Sequence, residues 1–591
     1  MVCCHVCFSP RPIQEVKMSA DSSGEAGDWS SAMKKRRVIY SGASVPSSPA
    51  KLVETPAKHK KSPAKLDQKS PSKLDQKSGA REIATSRAML TPQKFKSFSA
   101  DDISKGRALD KYAKEIALAA KISTPLPFRD AGPRSHTYCT LCSGSEIPAL
   151  ALRAFQDRWS QASGVAHEFN HVFGCEIIPD KRSFGMKVTD QCGHPDSCMF
   201  IDVSHLEGEH AWCDRHKRMC RIPPAEGLIA GLSCKDLSLM NSKNPGGTGP
   251  IFAANKVHSS TSAKTFFGFL SYVDRFAPSW VMLENSDQLL DGNESMKVNW
   301  QRLRRALEAR GYMVHGLVVD SSQFALPQTR QRSHIVAFLI CARCYAVTGS
   351  SQDVADTVFK QFDSFVAGCR RRPPSLETVI STCDKVQAVL NAQLMAGKKG
   401  NVQVVTPKAQ DTMLRTCAGK IGLKHVALTK ASESSPWCAL LTPTQKQVLA
   451  EYQMMELDEE RRCKFYAVDV GQSMGRTPTS SVVEFGSHHI TAAPTLLPGT
   501  KLWLGGSDSG ERLLTGQEML MLQGWPSSFV PKISESLKAD FAGNMFSSTV
   551  CVSVLSSLML SLPWSAGVID NEKVGNAECM AALALFGVEG L

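Results

Sequence analysis

Cys234 stands in the stretch Gly231-Leu232-Ser233-Cys234-Lys235-Asp236-Leu237-Ser238, behind the apolar run Gly227 to Leu232 and ahead of a glycine-rich segment. A cysteine at the end of a buried strand, with a loop behind it, is placed to act as a nucleophile, and the thiolate is its reactive form. A half-buried core cysteine has the same local pattern, because free Cys packs as a small hydrophobe. The stretch alone leaves both open. Other polar residues close apolar runs in a fixed order. The first run ends in the small-residue turn Leu141-Cys142-Ser143-Gly144-Ser145-Glu146, the next at Glu176, the next at Asp202, and the run from Trp280 at Glu284-Asn285. A small-residue turn lets backbone approach a cofactor closely. An acid ending the second strand is where ribose hydroxyls are held, and Asp202 can accept from an adenine amino group. Together they point to an adenosyl cofactor.

Residues in this order must sit at the carboxyl ends of strands to converge. The spacing predicts strands at 136–141, 171–177, 198–203, 228–233, 280–284, 312–319 and 334–340. It predicts helices at 147–159, 262–276 and 301–310, with Pro148 tolerated in a first turn. Strands alternating with helices give an α/β fold with a doubly wound, mostly parallel sheet.

The chain has 591 residues, 42% of them hydrophobic, and a net charge of +13. Residues 1–100 carry 18 Lys and Arg against 8 Asp and Glu, so most of the excess charge lies there. That region is read as a disordered basic tail. It holds the cluster Lys34-Lys35-Arg36-Arg37, of nuclear-import type, and two copies of Ser-Pro-x-Lys-Leu-Asp-Gln-Lys at 62–69 and 70–77. Pro blocks helix and Lys meets phosphate without reading sequence, so the tail implies contact with nucleic acid or chromatin. The expected divisions are a linker helix within 101–135, a catalytic domain at 136–340 and 466–565, an intervening region at 341–465 and a tail at 566–591. Arg370-Arg371-Arg372 and Lys398-Lys399 are either phosphate contacts or solvated charge. Twenty cysteines in a chain this long do not form a disulfide scaffold, and Met1 to Ala20 does not read as a secretory leader. Reduced thiols in an intracellular setting are expected. So is the absence of a membrane span, since Val550 to Pro563 is short and carries serines.

The ordered set resembles the DNA (cytosine-5) methyltransferases. The resemblance runs through Cys234, Glu284-Asn285, and Gln328-Thr329-Arg330-Gln331-Arg332. It continues through Arg512-Leu513-Leu514-Thr515…Glu518, Gln523-Gly524-Trp525-Pro526 and Gly543-Asn544. It implies a class I, Rossmann-like methyltransferase fold with a smaller target-recognition region, assigned by position to 341–465. It also implies S-adenosylmethionine as cofactor, with Leu141, Cys142, Ser143, Gly144, Ser145, Glu176, Asp202, Ser233 and Asn544 around it. The implied substrate is cytosine in double-stranded DNA, flipped out of the stack, in the nucleus. Cys234 adds to carbon 6, Glu284 holds N3, Arg330 or Arg332 binds the base oxygen, and Asn285 braces the nucleophile loop. The loop 238–259 would close over the base. A transfer-RNA substrate, or a non-catalytic chromatin protein with a decayed fold, are the alternatives.

The departures from the family pattern are Ser233 for proline, Lys235 for glutamine, Cys142 for phenylalanine, Glu146 for the second glycine and Ser286 for valine. Ser233 is expected to loosen the turn and Lys235 to favour thiolate. Glu146 either meets the cofactor or caps the helix, with the cap preferred. Outside the pattern, Cys192, His194 and Cys198 precede the third strand, and Cys213, His216 and Cys220 follow it. Their spacings are within zinc range but irregular by the usual patterns, so reduced thiols and incidental histidines are preferred and no metal is expected.

Overall fold

A computed structural model describes residues 98–565, except 123–127, 129–131, 238–250, 253–259, 293, 341–344, 347–348, 381–385, 392–429, 457–464, 472–480, 486–487, 507–510, 528 and 530–531. The Ser-Pro repeats, the basic cluster, Lys398-Lys399, most of the 238–259 loop and the C-terminal tail lie outside the described residues.

Nine strands form one sheet. They are β1 (Arg134–Leu141), β2 (His167–Cys175), β3 (Cys198–Phe200), β4 (His210–Cys213), β5 (Arg218–Arg221), β6 (Gly227–Gly231), β7 (Trp280–Ser286), β8 (Tyr312–Asp320) and β9 (Gln331–Leu339). Their order is β5-β4-β3-β2-β1-β6-β7-β9-β8. The strands from β3 to β7 run parallel, and β9 is inserted antiparallel between β7 and β8. The helices that cover it include α1 (Ala108–Ile122), α2 (Ile147–Ser163), α3 (Pro179–Gln191), α4 (Thr261–Phe276) and α5 (Glu294–Glu308). Further on come α6 (Ser351–Gly368), α7 (Gly516–Leu522), α8 (Glu535–Asn544) and α9 (Ser548–Ser561).

Strand β6 and the first part of β7, Trp280 to Leu283, are apolar because both faces are covered. Alternation then sorts their side chains between two cores. Ile229, Trp280 and Met282 join the core shared with α2 and α9. Leu228, Ala230, Val281 and Leu283 join the core with α4 and α5. Each of the Ile, Leu, Val and Met side chains among them contributes about 1.5–3 kcal/mol on burial. The most apolar helix, α9, is buried at all 14 positions, and three of its serines, Ser553, Ser556 and Ser561, bond carbonyls of the preceding turn, as Ser553 does that of Thr549. It is a core helix.

Several placements differ from the sequence expectation, among them helix α3, which was not expected, and α5, which begins at Glu294 rather than 301. Strand β3 stops at Phe200, because Asp202 caps a short 3₁₀ turn through the Ser204 N–H. The short strands β4 and β5 were not expected; four residues give too little alternation to register. Helix α1 does not merely link: Leu109, Tyr112, Ala113, Ile116 and Ala117 are buried in the core, and the Tyr112 hydroxyl donates to the Cys369 carbonyl.

In the 341–465 interval, α6 packs Ala355, Val358, Phe362 and Val366 into the core that α9 shares. Arg371 pairs with Glu115 at 2.8 Å, so it is neither free for phosphate nor simply solvated. A three-stranded sheet, β10 (Tyr466–Asp469), β13 (Leu502–Gly505) and β14 (Arg512–Leu513), and a separate hairpin, β11 (Ser481–Phe485) and β12 (His488–Ala492), complete the strands.

The Arg512…Thr515…Glu518 motif is a mechanical unit. Thr515 and Glu518 form a reciprocal cap on α7. The same Glu518 carboxylate takes a two-pronged Arg512 contact at 2.8 and 3.0 Å, wholly buried. Replacing Glu518 by Ala leaves that guanidinium buried without its counter-charge. Glu518→Ala is expected to cost about 3–5 kcal/mol, read as a lower urea midpoint, with Glu518→Gln losing less.

Candidate active site

The nucleophile turn begins where β6 ends. Gly231 is there for space: a Cβ on it would sit 2.8 Å from the Cys142 carbonyl and 3.2 Å from the Phe546 ring. Cofactor turn, nucleophile strand and C-terminal segment therefore meet at this glycine. Beyond it, the Ser233 N–H donates to Thr265 Oγ1 at 3.1 Å. Asp236 Oδ2 accepts from Ser260 Oγ (2.8 Å) and the Ser262 N–H (2.9 Å), tying the turn to the start of α4. Asn285 donates to the Leu232 carbonyl at 3.0 Å, bracing the turn from β7 as expected. Ser233 does not leave the turn loose. Its N–H makes a bond that proline cannot make.

Beside the turn, Glu284 and Arg332 form an ion pair, Oε1 to Nε 3.3 Å, about 15% exposed on each side chain. They are diagonal neighbours across β7 and β9, where Glu284 is opposite His334 and Ser286 opposite Arg332. Burial pushes the Cys234 thiol above its ordinary value; the Arg332 cation opposes this most, Glu284 adds to it, and Arg330 opposes it further. The exposed Lys235 is not the cation that matters most.

Arg330 is corrected. It is 3% exposed, and its guanidinium donates to the carbonyls of Leu496 (2.8 Å), Gly543 (3.3 Å) and Met545 (3.0 Å). Burial, and then the like charge of Arg332, pull its pKa down to about 9, so it is still a cation at neutral pH. It holds the C-terminal segment. Of the two arginines, Arg332 is the one that pairs with Glu284.

At the cofactor turn, Cys142, Gly144 and Glu146 all have left-handed backbones, φ 53°, 71° and 57°. Gly144 also needs the room: a Cβ would lie 3.2 Å from the Asn544 carbonyl. Glu176 sits at the end of β2 and accepts from the N–H groups of Ile178 (2.9 Å) and Gly144. Burial raises its pKa all the same. Leu141 is buried in the sheet. Ser143 turns its hydroxyl to Glu146 at 2.8 Å, and Ser145 is buried. Asp202 is in place, but Ser204 occupies Oδ1 and Lys264 occupies Oδ2 at 2.6 Å. Asn544 donates to Asp540, and its carbonyl faces the turn.

Glu146 does not cap the helix. It occupies the position before α2, but its side chain makes no capping bond. The carboxyl turns inward, 2% exposed, to Thr140 Oγ1 (2.8 Å) and Ser143 Oγ. Burial raises its pKa to about 7, against the two hydroxyls that lower it. His171, 3.9 Å away, is itself pushed down to about 3 by burial and stays neutral, so it supplies no counter-charge.

Sequence reasoning missed Thr265, Asp236 and Lys264. A cap signature was present, Ser260 before the apolar periodicity of α4, but its partner Asp236 is apparent only in three dimensions.

An open, mostly parallel sheet with an antiparallel strand next to each edge, and adenosyl-type acids along its carboxyl edge, is the fold of class I S-adenosylmethionine-dependent methyltransferases. The chain belongs to the C-5 cytosine-specific DNA methylases, whose family model matches residues 200–563. It is 25% identical over 452 residues to DNA (cytosine-5-)-methyltransferase DMT5 of Cryptococcus neoformans, covering 72% of this chain and 17% of that protein. The like-named protein of Verticillium dahliae is 24% identical over 520 residues, covering 75% and 20%. The chain thus spans about a fifth or less of the length of these relatives. Type II methyltransferase M.MspI of Moraxella is 32% identical over 121 residues, 20% of this chain and 25% of that one. Among solved structures, Schizosaccharomyces pombe Dnmt2 methyltransferase aligns at 14% identity over 72% of this chain and 98% of its own, with a TM-score of 0.34.

Two outcomes are expected. Alkylation of Cys234 by iodoacetamide, followed by peptide mass spectrometry, titrates above the ordinary thiol pKa, and Arg332→Met moves it higher still. For Glu146, the carboxyl's pKa is raised on folding, so the folded state holds the proton longer. Stability therefore falls as pH rises from about 4.5 to about 7, by roughly 3 kcal/mol in all. Glu146→Gln removes this fall, as compared by urea midpoints at pH 5 and pH 8.

Proposed function

We propose that the chain transfers a methyl group from S-adenosylmethionine to carbon 5 of cytosine in DNA. The observation that carries this is Cys234 held beside the Glu284–Arg332 pair and next to the cofactor turn through Gly231. The turn fits an adenosyl group: the Glu176 carboxylate, at the end of β2, is held facing that turn by the Gly144 and Ile178 N–H groups, where ribose hydroxyls are held. Glu176, Gly144, Asp202 and the Asn544 backbone would hold it. When bound, the cofactor supplies an electrophilic methyl group.

The chain's own residues prepare the base. The Cys234 sulfur adds to carbon 6, and the electron pair moves into the ring toward carbon 5. Glu284 holds N3, the ring atom that takes up a proton as attack proceeds. Arg332 binds the base oxygen and stabilises the charge that develops in the ring. After methylation, carbon 5 loses its proton to a base and carbon 6 releases Cys234, restoring the ring. A thiol raised by burial needs the Arg332 cation to reach the thiolate form, so Arg332 acts on nucleophile and base together. The flipped-out base costs a few kcal/mol to extract from a duplex.

The basic tail, with Lys34-Lys35-Arg36-Arg37 and the Ser-Pro-x-Lys units, supports a nuclear location and contact with chromatin phosphate. The family match favours DNA over transfer RNA as the acceptor.

Labelled methyl transfer to duplex DNA tests the reading, with transfer RNA as the competing acceptor. Cys234→Ser is expected to abolish transfer while leaving cofactor affinity by calorimetry unchanged. Arg332→Ala is expected to lose about 10²–10³-fold in rate. Transfer by Cys234→Ser at the parent rate would sink the mechanism, and failure of the parent to bind cofactor would favour a decayed fold.

A further inference from the structure

The hairpin at the far edge of the sheet carries a second cluster that the reaction does not use. Cys198 opens β3, Cys213 ends β4, His216 lies in the turn, and Cys220 lies in β5. The three sulfurs surround one nitrogen. His216 Nδ1 is 3.5 Å from Cys198 Sγ, 3.4 Å from Cys213 Sγ and 3.5 Å from Cys220 Sγ. All four atoms lie within 4.8 Å of one another.

Hydrogen bonding does not account for this. An imidazole nitrogen makes one hydrogen bond, along its ring plane, whereas three sulfurs stand at nearly equal distance. Disulfides do not account for it either, since all three cysteines are free. A tetrahedral metal does. With zinc–sulfur bonds of about 2.3 Å and a zinc–nitrogen bond of about 2.0–2.1 Å, tetrahedral angles put sulfur and nitrogen roughly 3.6 Å apart. Two backbone N–H groups also point at Cys213 Sγ, from Met199 (3.3 Å) and His216 (3.5 Å), as they do at metal-bound thiolates. Lys217 turns the chain with a left-handed backbone, φ 52°, which brings Cys220 back to the others.

We propose that Cys198, Cys213, His216 and Cys220 bind one structural zinc ion. Three thiolates and an imidazole complete a tetrahedral shell, so the site is closed and has no position for a substrate. This corrects the expectation of incidental thiols and histidines. Of the six residues singled out, Cys192 and His194 stay outside: Cys192 is buried in the core near α2 and α3, and His194 lies beside His171.

The ion has mechanical work at this edge. Strands β3 and β4 pair through one register position, Phe200 with Cys213, whereas β4 and β5 pair through four. Metal bonds across β3, β4 and β5 replace the missing ladder. The residue after Cys213 extends the effect. Asp214 holds Arg182 at 2.7 Å, and Arg182 donates to the Glu176 carbonyl at 2.9 Å. The hairpin is thereby tied to the end of β2.

The test is metal content of the full chain, purified without chelator, by inductively coupled plasma mass spectrometry. Cys3, Cys4, His5 and Cys7 offer other thiol and imidazole groups, so the readout is the difference between parent and variant. Cys220→Ser and Cys198→Ser are each expected to lose one equivalent of zinc, and Cys192→Ala none. Cobalt substituted into the parent should show tetrahedral d–d bands and thiolate charge transfer. Cys220→His keeps a fourth ligand, so it should retain the metal and lose about a third of that charge-transfer intensity. Equal zinc in the parent and both serine variants would overturn the proposal. So would a parent that takes up no cobalt in tetrahedral form, or a disulfide among Cys198, Cys213 and Cys220 in the freshly purified chain.

Discussion

One buried guanidinium joins the two parts from which the catalytic fold is assembled. Arg330 enters β9, and its partners at Gly543 and Met545 lie more than 200 residues further along the chain. Three carbonyls share the charge, which makes its burial tolerable. Much else hangs on this contact. The same segment presents the Asn544 carbonyl to Gly144 and the Phe546 ring to Gly231. Gln523 secures it from the other side, donating to the Ala542 carbonyl at 2.7 Å and accepting from Ser547 at 2.8 Å. Remove the clamp and the cofactor turn and the nucleophile strand both lose a wall.

The two arginines of Gln328-Thr329-Arg330-Gln331-Arg332 show how a short motif divides its labour. Side chains two apart on a strand share a face, yet their environments differ. Arg330 sits where β9 begins and reaches inward to carbonyls. Arg332 sits one register step along, reaches Glu284 and keeps some exposure. Charge type alone made them interchangeable in the sequence. Burial separates them.

The α/β architecture was legible because buried parallel strands are short apolar runs, and Leu228 to Gly231 and Trp280 to Leu283 read that way directly. Cys234, Glu284 and Asn285 were legible through order along the chain. What could not be read were consequences of tertiary contact. Glu146 looked like a cap because it precedes a helix, but Thr140 and Ser143 draw it inward. Asp202 looked free, but Lys264 comes to it from a helix 62 residues away. The zinc-type cluster looked irregular because Cys198 is supplied by a neighbouring strand, and linear spacing carries no record of strand pairing. The family match begins at residue 200, beyond the cofactor turn where Cys142 and Glu146 depart from the family pattern.

The nucleophile turn carries a different kind of stiffness from the one its relatives' proline would give. A pyrrolidine ring restrains the chain covalently, at every temperature and in every conformation. Here the restraint is the Ser233 N–H on Thr265, with Asp236 on Ser260 and Ser262, and all three partners belong to the start of α4. Beside the Asn285 brace from β7, part of the turn's order is therefore borrowed from a helix terminus, which is the part of a helix that frays first. That part of the rigidity at the reacting sulfur is a conditional property, present while the first turn of α4 is wound and released when it opens.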